Sequence, residues 1–178
     1  MASRYQVQER FAPWGADGQA RLSKATVAVV GVGALGGVSA GLLARAGVGR
    51  LRLIDHDHPS IENLHRQVLY TEGDVAEGLT KVRAARRFLA SANSEISIEA
   101  VEQELTADNA ARLLAGADLV LDGLDAPLPR YHLNRACLEL AIPWVHAGVV
   151  GSSGQLLVVR PGQGPCFECF AALANCQN

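Results

Sequence analysis

The sequence predicts an α/β fold of the Rossmann-like type, a doubly wound, mostly parallel sheet with helices on both faces. Short β-branched or apolar runs alternate with longer segments rich in Ala and Leu. The first of these runs leads straight into a glycine-rich turn, and the second ends in an aspartate. Strands that alternate with helices favour a parallel sheet covered on both faces.

The amino-terminal half predicts a strand, a glycine turn, a helix and a second strand. Residues 26–30 form a β-branched run that predicts the first strand, and residues 33–47 predict the helix. Glycines at 47 and 49 end that helix before a second short strand, residues 51–54, which runs into Asp55. Together these elements predict a βαβ unit.

The rest of the chain continues the alternation. Helical composition or spacing recurs three times, and the second of these segments ends at Gly116 while the third is broken by Pro143. The predicted helices are 81–92, 107–115 and 130–141, and the predicted strands are 96–101, 119–121, 144–147 and 154–159.

Size and charge limit the function classes. The 178 residues, 49% of them hydrophobic, fit one domain, residues 1–178, with an amino-terminal arm at residues 1–25. A net charge of −2 argues against nucleic acid and anionic membranes as partners. No apolar run approaches the roughly 18 residues of a membrane span, and the amino terminus has no apolar signal core. We therefore expect a cytoplasmic protein.

Residues 31–36 (GVGALG) fit the G-x-G-x-x-G pattern between a strand and a helix. Glycines there allow a tight turn and let a phosphate approach the helix amino terminus. Asp55, at the tip of the second strand, is suited to accept hydrogen bonds from ribose hydroxyls. The alternative is that the glycines only permit close packing of helix and sheet. The motif does not choose between NAD, FAD and ATP. The predicted contacts in this loop are Gly31, Gly33, Ala34, Leu35 and Gly36.

A second motif follows the second strand. Residues 55–57 read DHD, and residues 63–67 read NLHRQ. This pattern resembles the D-x-D and N-L-x-R-Q motifs of the ThiF/MoeB/HesA proteins and of the ubiquitin-activating enzymes. The resemblance spans residues 4–169 and implies that the Asn, Arg and Gln surround the phosphates of ATP. The residues implied around ATP are Asp55, Asp57, Asn63, Arg66, Gln67 and Lys81.

The residue types suit that task. Arg66 offers a fixed fork of donors for phosphate oxygens, Lys81 a mobile point charge, and Asn63 a neutral donor. The alternative is that Arg66 and Lys81 are solvated surface charges. We predict that Arg66 and Lys81, together with Asp125, are the catalytic residues.

Residues 118–125 (DLVLDGLD) resemble the family's D-L-V-x-D-x-x-D. By that match Asp125 holds Mg²⁺, a cation that needs only one or two protein carboxylates. Asp122 ends the predicted strand and is interpreted as structural. Arg130 and Asn134 match the family's R-x-x-x-N, which makes Arg130 a further predicted nucleotide contact, although Ala126 stands where the family usually has Asn.

The cysteines cluster near the end of the chain, which suits a metal site in a reducing compartment better than a disulfide framework. Cys166 and Cys169 resemble the family's G-x-P-C-x-x-C, half of a structural Zn²⁺ site. The sequence lacks the family's second Cys-x-x-Cys, and Cys176 supplies a third ligand at most. A zinc half site and a pair of free thiols both remain open. Family members continue further, so the resemblance implies a truncated chain.

The amino terminus departs from the family. Residues 4–8 read RYQVQ where the family has R-Y-x-R-Q, so Val7 replaces an arginine that reaches the neighbouring subunit's ATP site. Either adenylation is slowed, or Arg4 or Arg10 takes that role. The resemblance also implies a homodimer, in keeping with a largely apolar composition that one small fold cannot bury.

The leading hypothesis is adenylation by ATP of the C-terminal carboxylate of a small ubiquitin-like sulfur-carrier protein, with release of pyrophosphate. An NAD-dependent oxidoreductase is an alternative, but it gives residues 63–67 no task. A binding module that has lost catalysis is another, motivated by Val7 and Ala126. The sequence leaves open the carrier, the acceptor of the activated carboxylate, and the pathway, whether molybdopterin or thiamine biosynthesis.

Overall fold

The computed structural model describes residues 3–175. Its six-stranded sheet has the order β3-β2-β1-β4-β5-β6. Strands β1 to β5 are parallel, and β6 is antiparallel to β5. The sheet therefore grows in both directions from β1, which confirms the predicted doubly wound, mostly parallel fold. The strands are Thr26–Val30 (β1), Arg50–Ile54 (β2), Ser97–Val101 (β3), Leu119–Asp122 (β4), Trp144–Val150 (β5) and Ser153–Val159 (β6).

The helices include several that the sequence analysis does not predict. Helix α7 begins at Pro127, three residues before the predicted start, because proline is well suited to the first turn of a helix. Helix α6 is shorter than predicted. The helices are Gln6–Glu9 (α1), Gly15–Leu22 (α2), Ala34–Ala46 (α3), Glu72–Ala76 (α4), Lys81–Ala92 (α5), Ala110–Leu114 (α6), Pro127–Glu139 (α7) and Phe167–Asn175 (α8), with a 3₁₀ turn at Ile61–Asn63.

Two hydrophobic clusters cover the two faces of the sheet. Alternate residues of β1 separate between them, because successive side chains of a strand point to opposite faces. Val27 and Val29 pack in the cluster that includes α3 and α5 residues, whereas Ala28 and Val30 pack in the cluster that includes α6 and α7 residues. Both faces of the central strand are therefore buried.

The β5–β6 hairpin ends the sheet. Its turn passes through Gly151, whose φ of +59° is a left-handed conformation that glycine adopts without strain. A link this short can join only antiparallel strands, which explains the change of direction. Leu156 and Val158 on β6 are 72% and 55% exposed.

The amino-terminal arm is anchored at the end of α3. Gln8 and Gln19 both donate side-chain hydrogen bonds to the carbonyl of Ala46, at 3.0 and 2.9 Å. These bonds satisfy a carbonyl that the helix leaves unpaired. Val7 points away from the fold and is 80% exposed. Within residues 3–175, no helix is both long and apolar enough to cross a membrane.

Candidate nucleotide-binding site

The glycine loop after β1 packs backbone to backbone against the loop after β4. A Cβ atom on Gly36 would lie 1.9 Å from the carbonyl oxygen of Gly31, and one on Gly123 would lie 2.3 Å from the same oxygen. Gly31 has a φ of +82°. Close packing, the alternative explanation of the motif, therefore accounts for Gly31 and Gly36.

Gly33 is different, because packing within the described chain does not require a glycine there. A Cβ atom on Gly33 would contact only the Gln67 Nε2 atom, at 3.8 Å. Gly33 is also the residue that precedes α3, and no side chain of the described residues caps that helix. The first N–H groups of α3 therefore remain available to an anion beside an open glycine.

Asp55, which follows β2, stabilises the glycine loop through a hydrogen bond. Its Oδ2 atom accepts a 2.7 Å hydrogen bond from the Val32 N–H, and its Oδ1 atom accepts one of 2.9 Å from the Asp57 N–H. Each carboxylate oxygen has a further lone pair, so these bonds leave capacity for a ribose hydroxyl. The predicted ribose contact stays a prediction.

Lys81 and Asp57 form an ion pair. The Lys81 Nζ atom donates to Asp57 Oδ2 at 2.8 Å, and only 10% of the lysine side chain is exposed. The hydrogen bond from Lys81 is the largest cause of a lowered pKa for Asp57, assisted by the charges of Lys81, His56 and His58 and opposed by burial. A phosphate at this position would share or replace Asp57 as the partner of the ammonium group.

The 63–67 motif folds as a compact turn beside the glycine loop. Arg66 is exposed and donates from Nη1 to Asn63 Oδ1, while Asn63 Nδ2 donates to the Ser60 hydroxyl at 2.8 Å. Gln67 is 5% exposed, and its Oε1 atom is buried without a partner in the described residues. A buried acceptor without a donor is costly, so this amide suits a bound ligand or water.

Two carboxylates lie at the end of β4, and one is buried while the other is exposed. Asp122 has a fully buried side chain that accepts hydrogen bonds from Arg130 Nε at 3.1 Å and from His146 Nδ1 at 2.6 Å. The Leu124 N–H donates to its other oxygen at 2.9 Å. Asp125 is exposed. The interpretation of Asp122 as structural is consistent with these contacts.

Arg130 is already bound within the protein. In addition to Asp122, it donates from Nη2 to the Leu124 carbonyl. Its predicted contact with a nucleotide stays a prediction and relies on the two N–H groups of Nη1 and the second N–H group of Nη2.

The cysteine pair lies at the start of α8. The Sγ atoms of Cys166 and Cys169 are 3.8 Å apart. Burial acts to raise the pKa of the Cys166 thiol, but the backbone N–H groups of Cys169 and Glu168 outweigh it and lower the pKa. Within residues 3–175 no third ligand joins this pair. Cys176 lies outside the described residues, and zinc binding stays a prediction.

Three of the predicted site segments, namely the glycine loop, Asp55 and Asp125, lie at the same end of the sheet. The carboxyl ends of β1, β2 and β4 are neighbours, so the glycine loop, Asp55 and Asp125 all follow adjacent parallel strands. This is the switch point at which the sheet grows in both directions, and such points bind ligands in open α/β sheets.

A model of the ThiF family matches residues 5–177. The chain belongs to the ThiF family. Its relatives include the sulfur carrier protein ThiS adenylyltransferase of Bacillus subtilis, 40% identical over 96% of this chain and 51% of that protein. Another is the adenylyltransferase and sulfurtransferase MOCS3 of Anopheles gambiae, 43% identical over 94% of this chain and 38% of that protein.

Solved structures of similar proteins contain ATP. A structure of E. coli MccB with ATP matches this ThiF-family chain with a TM-score of 0.84 and 28% identity. The match covers 99% of this chain and 56% of the MccB chain. The E. coli tRNA N6-threonylcarbamoyladenosine dehydratase TcdA in complex with ATP has a TM-score of 0.74 and 30% identity, and covers 79% of this chain and 57% of that one. The chain thus spans about half the length of these proteins.

Sequence reasoning missed the contacts of His146, which falls within the predicted strand 144–147. The register of β4 and β5 sets Asp122 directly opposite His146. A histidine that follows an apolar strand core and lies in register with an aspartate could have signalled the pair, but the register requires the strand order, which the sequence alone does not give.

Proposed function

We propose that this ThiF-family chain is the nucleotide-binding part of an adenylyltransferase that activates the C-terminal glycine carboxylate of a ubiquitin-like sulfur carrier. The carboxylate oxygen would attack the α-phosphorus of ATP. The bond between that phosphorus and the bridging oxygen to the β-phosphorus breaks, and pyrophosphate leaves with the electron pair. A carboxylate is already an anion near neutral pH, so the attack needs no general base.

The open backbone at Gly33 is the observation that carries this proposal. It adjoins the uncapped start of α3, and the side-chain atom nearest to it is the Gln67 Nε2 nitrogen, so a phosphate group has both room and donors. The relatives named as adenylyltransferases and the ATP in similar structures support the same ligand.

Residue roles follow from position and chemistry. We assign Arg66 and Lys81 to the phosphates, where positive charge stabilises the charge that develops in the reaction. Asp125 is assigned to Mg²⁺, because an exposed single carboxylate fits a cation that keeps several waters. Asp55, Asp57, Asn63 and Gln67 complete the nucleotide site.

The proposal predicts that a methyl group at Gly33 weakens nucleotide binding and leaves the stability of the fold nearly unchanged. Gly33→Ala should weaken ATP binding about 10-fold or more, since its methyl group enters the space assigned to phosphate, while unfolding free energy changes by less than about 1 kcal/mol. Calorimetric titration with ATP and urea unfolding measure the two quantities. If Gly33→Ala binds ATP with the affinity of the wild-type chain, the phosphate does not occupy the space beside Gly33.

The same titration separates the competing functions. We expect saturable, Mg²⁺-dependent binding of ATP by the wild-type chain and no saturable binding of NADH. The reverse result supports the NAD-dependent oxidoreductase. ATP binding without ATP–pyrophosphate exchange, measured with a carrier protein present, identifies a binding module that has lost catalysis, for which the outward position of Val7 would be one reason.

We further propose a homodimer. Leu35, Val38 and Leu42 lie on one side of α3 and are 38%, 45% and 65% exposed, which leaves an apolar strip next to the nucleotide site. Three or four residues separate its members, as expected for one helix face. A second copy is the occupant that the family resemblance implies.

Leu42→Glu should raise the dimer dissociation constant about 100-fold, because a charge would be buried where an apolar side chain packs. Sedimentation over a range of concentrations measures this. Leu138→Glu, at a half-exposed leucine of α7, serves as the control and should leave association unchanged. A wild-type chain that stays monomeric at tens of micromolar would contradict the dimer.

The remaining assignments concern the environment of the protein. We propose a single adenylation domain in the cytoplasm, since its cysteines fit a reducing compartment and its net charge of −2 does not favour nucleic acid or membrane surfaces. Zn²⁺ at Cys166 and Cys169 is proposed as a structural metal.

A further inference from the structure

A buried polar network lies directly beneath the loop that carries Asp125. Asp122, at the end of β4, has no exposed side-chain surface and accepts hydrogen bonds from Arg130 on α7 and His146 on β5. A buried carboxylate is tolerated only when it is fully paired, and each of these partners comes from a different element. The network therefore joins β4, β5 and α7 at one point.

The network also holds the main chain of the loop. Asp122 accepts the Leu124 N–H, and Arg130 donates to the Leu124 carbonyl, so both polar groups of one peptide residue are fixed. Leu124 is the residue before Asp125. A shift of Asp122 or Arg130 must therefore move the backbone that presents Asp125.

The loop after β4 also contacts the glycine loop directly. A Cβ atom built on Gly31 would lie 2.6 Å from the Gly123 carbonyl oxygen and 2.8 Å from the Leu124 nitrogen. Two backbones in such close contact cannot move independently, because protein interiors are close-packed. The Asp122 network thus fixes both loops that line the candidate site.

His146 holds the Asp122 side chain from β5. It is 1% exposed, and the ring of Phe167 on α8 meets it edge to face with centroids 5.0 Å apart. That packing fixes the imidazole so that Nδ1 points at Asp122. Among the hydrogen bonds of the described residues, His146 joins the network through Asp122.

We propose that Asp122, His146 and Arg130 form a positioning network that sets the Asp125 loop against the glycine loop for Mg²⁺-dependent nucleotide binding. This inference rests on the proposed function. Asp122 and His146 need not touch the reacting atoms, because they act through Leu124 and Gly123. Partners that orient a metal ligand typically contribute about 10- to 100-fold to metal affinity or activity.

The test replaces His146, whose contact with the network is its hydrogen bond to Asp122. His146→Leu keeps an apolar side chain against Phe167 but removes the donor to Asp122, whereas His146→Asn keeps a nitrogen donor near the position of Nδ1. The Mg²⁺ concentration for half-maximal binding of a non-hydrolysable ATP analogue should rise about 10- to 100-fold in His146→Leu and return to within about 3-fold of wild type in His146→Asn. Mg²⁺-free nucleotide affinity should fall by a smaller factor, because the network reaches the glycine loop through the backbone contact between Gly31 and Gly123.

Ile142→Ala is the control for general destabilisation, since Ile142 lies in the same hydrophobic cluster but outside the network. It should lower the melting temperature without changing the Mg²⁺ requirement. A melting temperature lowered in His146→Leu together with a wild-type Mg²⁺ requirement would overturn the proposal and leave the network a purely structural role.

Amide hydrogen exchange at Leu124 in the free protein provides a readout that needs no nucleotide. Exchange should be at least about 10-fold faster in His146→Leu than in wild type and restored in His146→Asn. Unchanged exchange would show that the network does not hold the loop. If the wild-type chain binds no nucleotide at any Mg²⁺ concentration, the proposed function fails, while the exchange result still decides whether the loop is held.

Discussion

Asp125→Ala should reduce ATP–pyrophosphate exchange by about 100- to 1,000-fold while leaving the unfolding transition unchanged. The carboxylate is exposed at the end of the Gly123–Leu124 segment, so its removal opens no cavity and breaks no buried hydrogen bond. The expected loss comes from Mg²⁺, whose charge would no longer be held beside the phosphates. Radiolabelled pyrophosphate incorporation into ATP, with saturating carrier protein, measures the effect.

Arg66→Ala should produce a loss of similar or larger size, because an arginine that meets developing phosphate charge contributes about 10³-fold or more. Arg66 contacts Asn63 in the described residues and is otherwise exposed, so the fold should tolerate the change. Asp108→Ala and Arg86→Ala remove the same charges from exposed positions away from the site and serve as matched controls. If Asp125→Ala keeps the full rate of ATP–pyrophosphate exchange, Asp125 does not bind Mg²⁺.

The second large effect concerns stability. Gly36→Ala should lower the free energy of unfolding by about 3 kcal/mol or more, at the upper end of what overpacking costs. Its Cβ atom would lie 1.9 Å from the Gly31 carbonyl oxygen, and both partners are backbone that cannot swing aside. The start of α3 must then move away from Gly31, and nucleotide binding should be lost with the stability. Urea unfolding followed by circular dichroism measures the change.

Gly73→Ala is the matched control for the second prediction. Gly73 lies inside α4, where a Cβ atom would meet only the Thr71 hydroxyl, at an ordinary 3.5 Å. Alanine is favoured over glycine within a helix, so stability should rise by about 0.5–1 kcal/mol. Equal urea midpoints for Gly36→Ala and wild type would mean that the glycine loop is not as tightly packed as the structure indicates.

The central part of the fold could be predicted because local pattern and tertiary environment agree there. In β1 and α3, a β-branched run and an Ala/Leu-rich segment meet at a glycine turn, and the structure places both elements within a residue of the prediction. Helix α4 was missed although Thr71 and Asp74 have the capping-box spacing and form both of its hydrogen bonds. Its five residues are too short to show a periodic apolar face.

The candidate site could be predicted in part. Motif spacing identifies residue types for phosphate and Mg²⁺, but it does not show that Lys81 pairs with Asp57 or that Arg130 binds Leu124. Such partners depend on which strands are neighbours and on their register. The backbone contact between Gly31 and Gly123 is equally invisible in the sequence, because the two glycines are far apart along the chain.

The two edges of the sheet differ in a way that matters for a concentrated solution. At β3, Glu99 forms an ion pair with Arg52 at 2.9 Å, and charged side chains at an edge discourage the addition of another strand. At β6, Leu156 and Val158 leave an apolar edge. If β6 is the edge strand that pairs with another copy, β6–β6 pairing alone ends at two copies, whereas two such edge strands would allow an open-ended assembly. In a chain that also pairs through the apolar strip of α3, pairing of β6 with β6 would join the dimers end to end, so crowding should produce open chains of dimers.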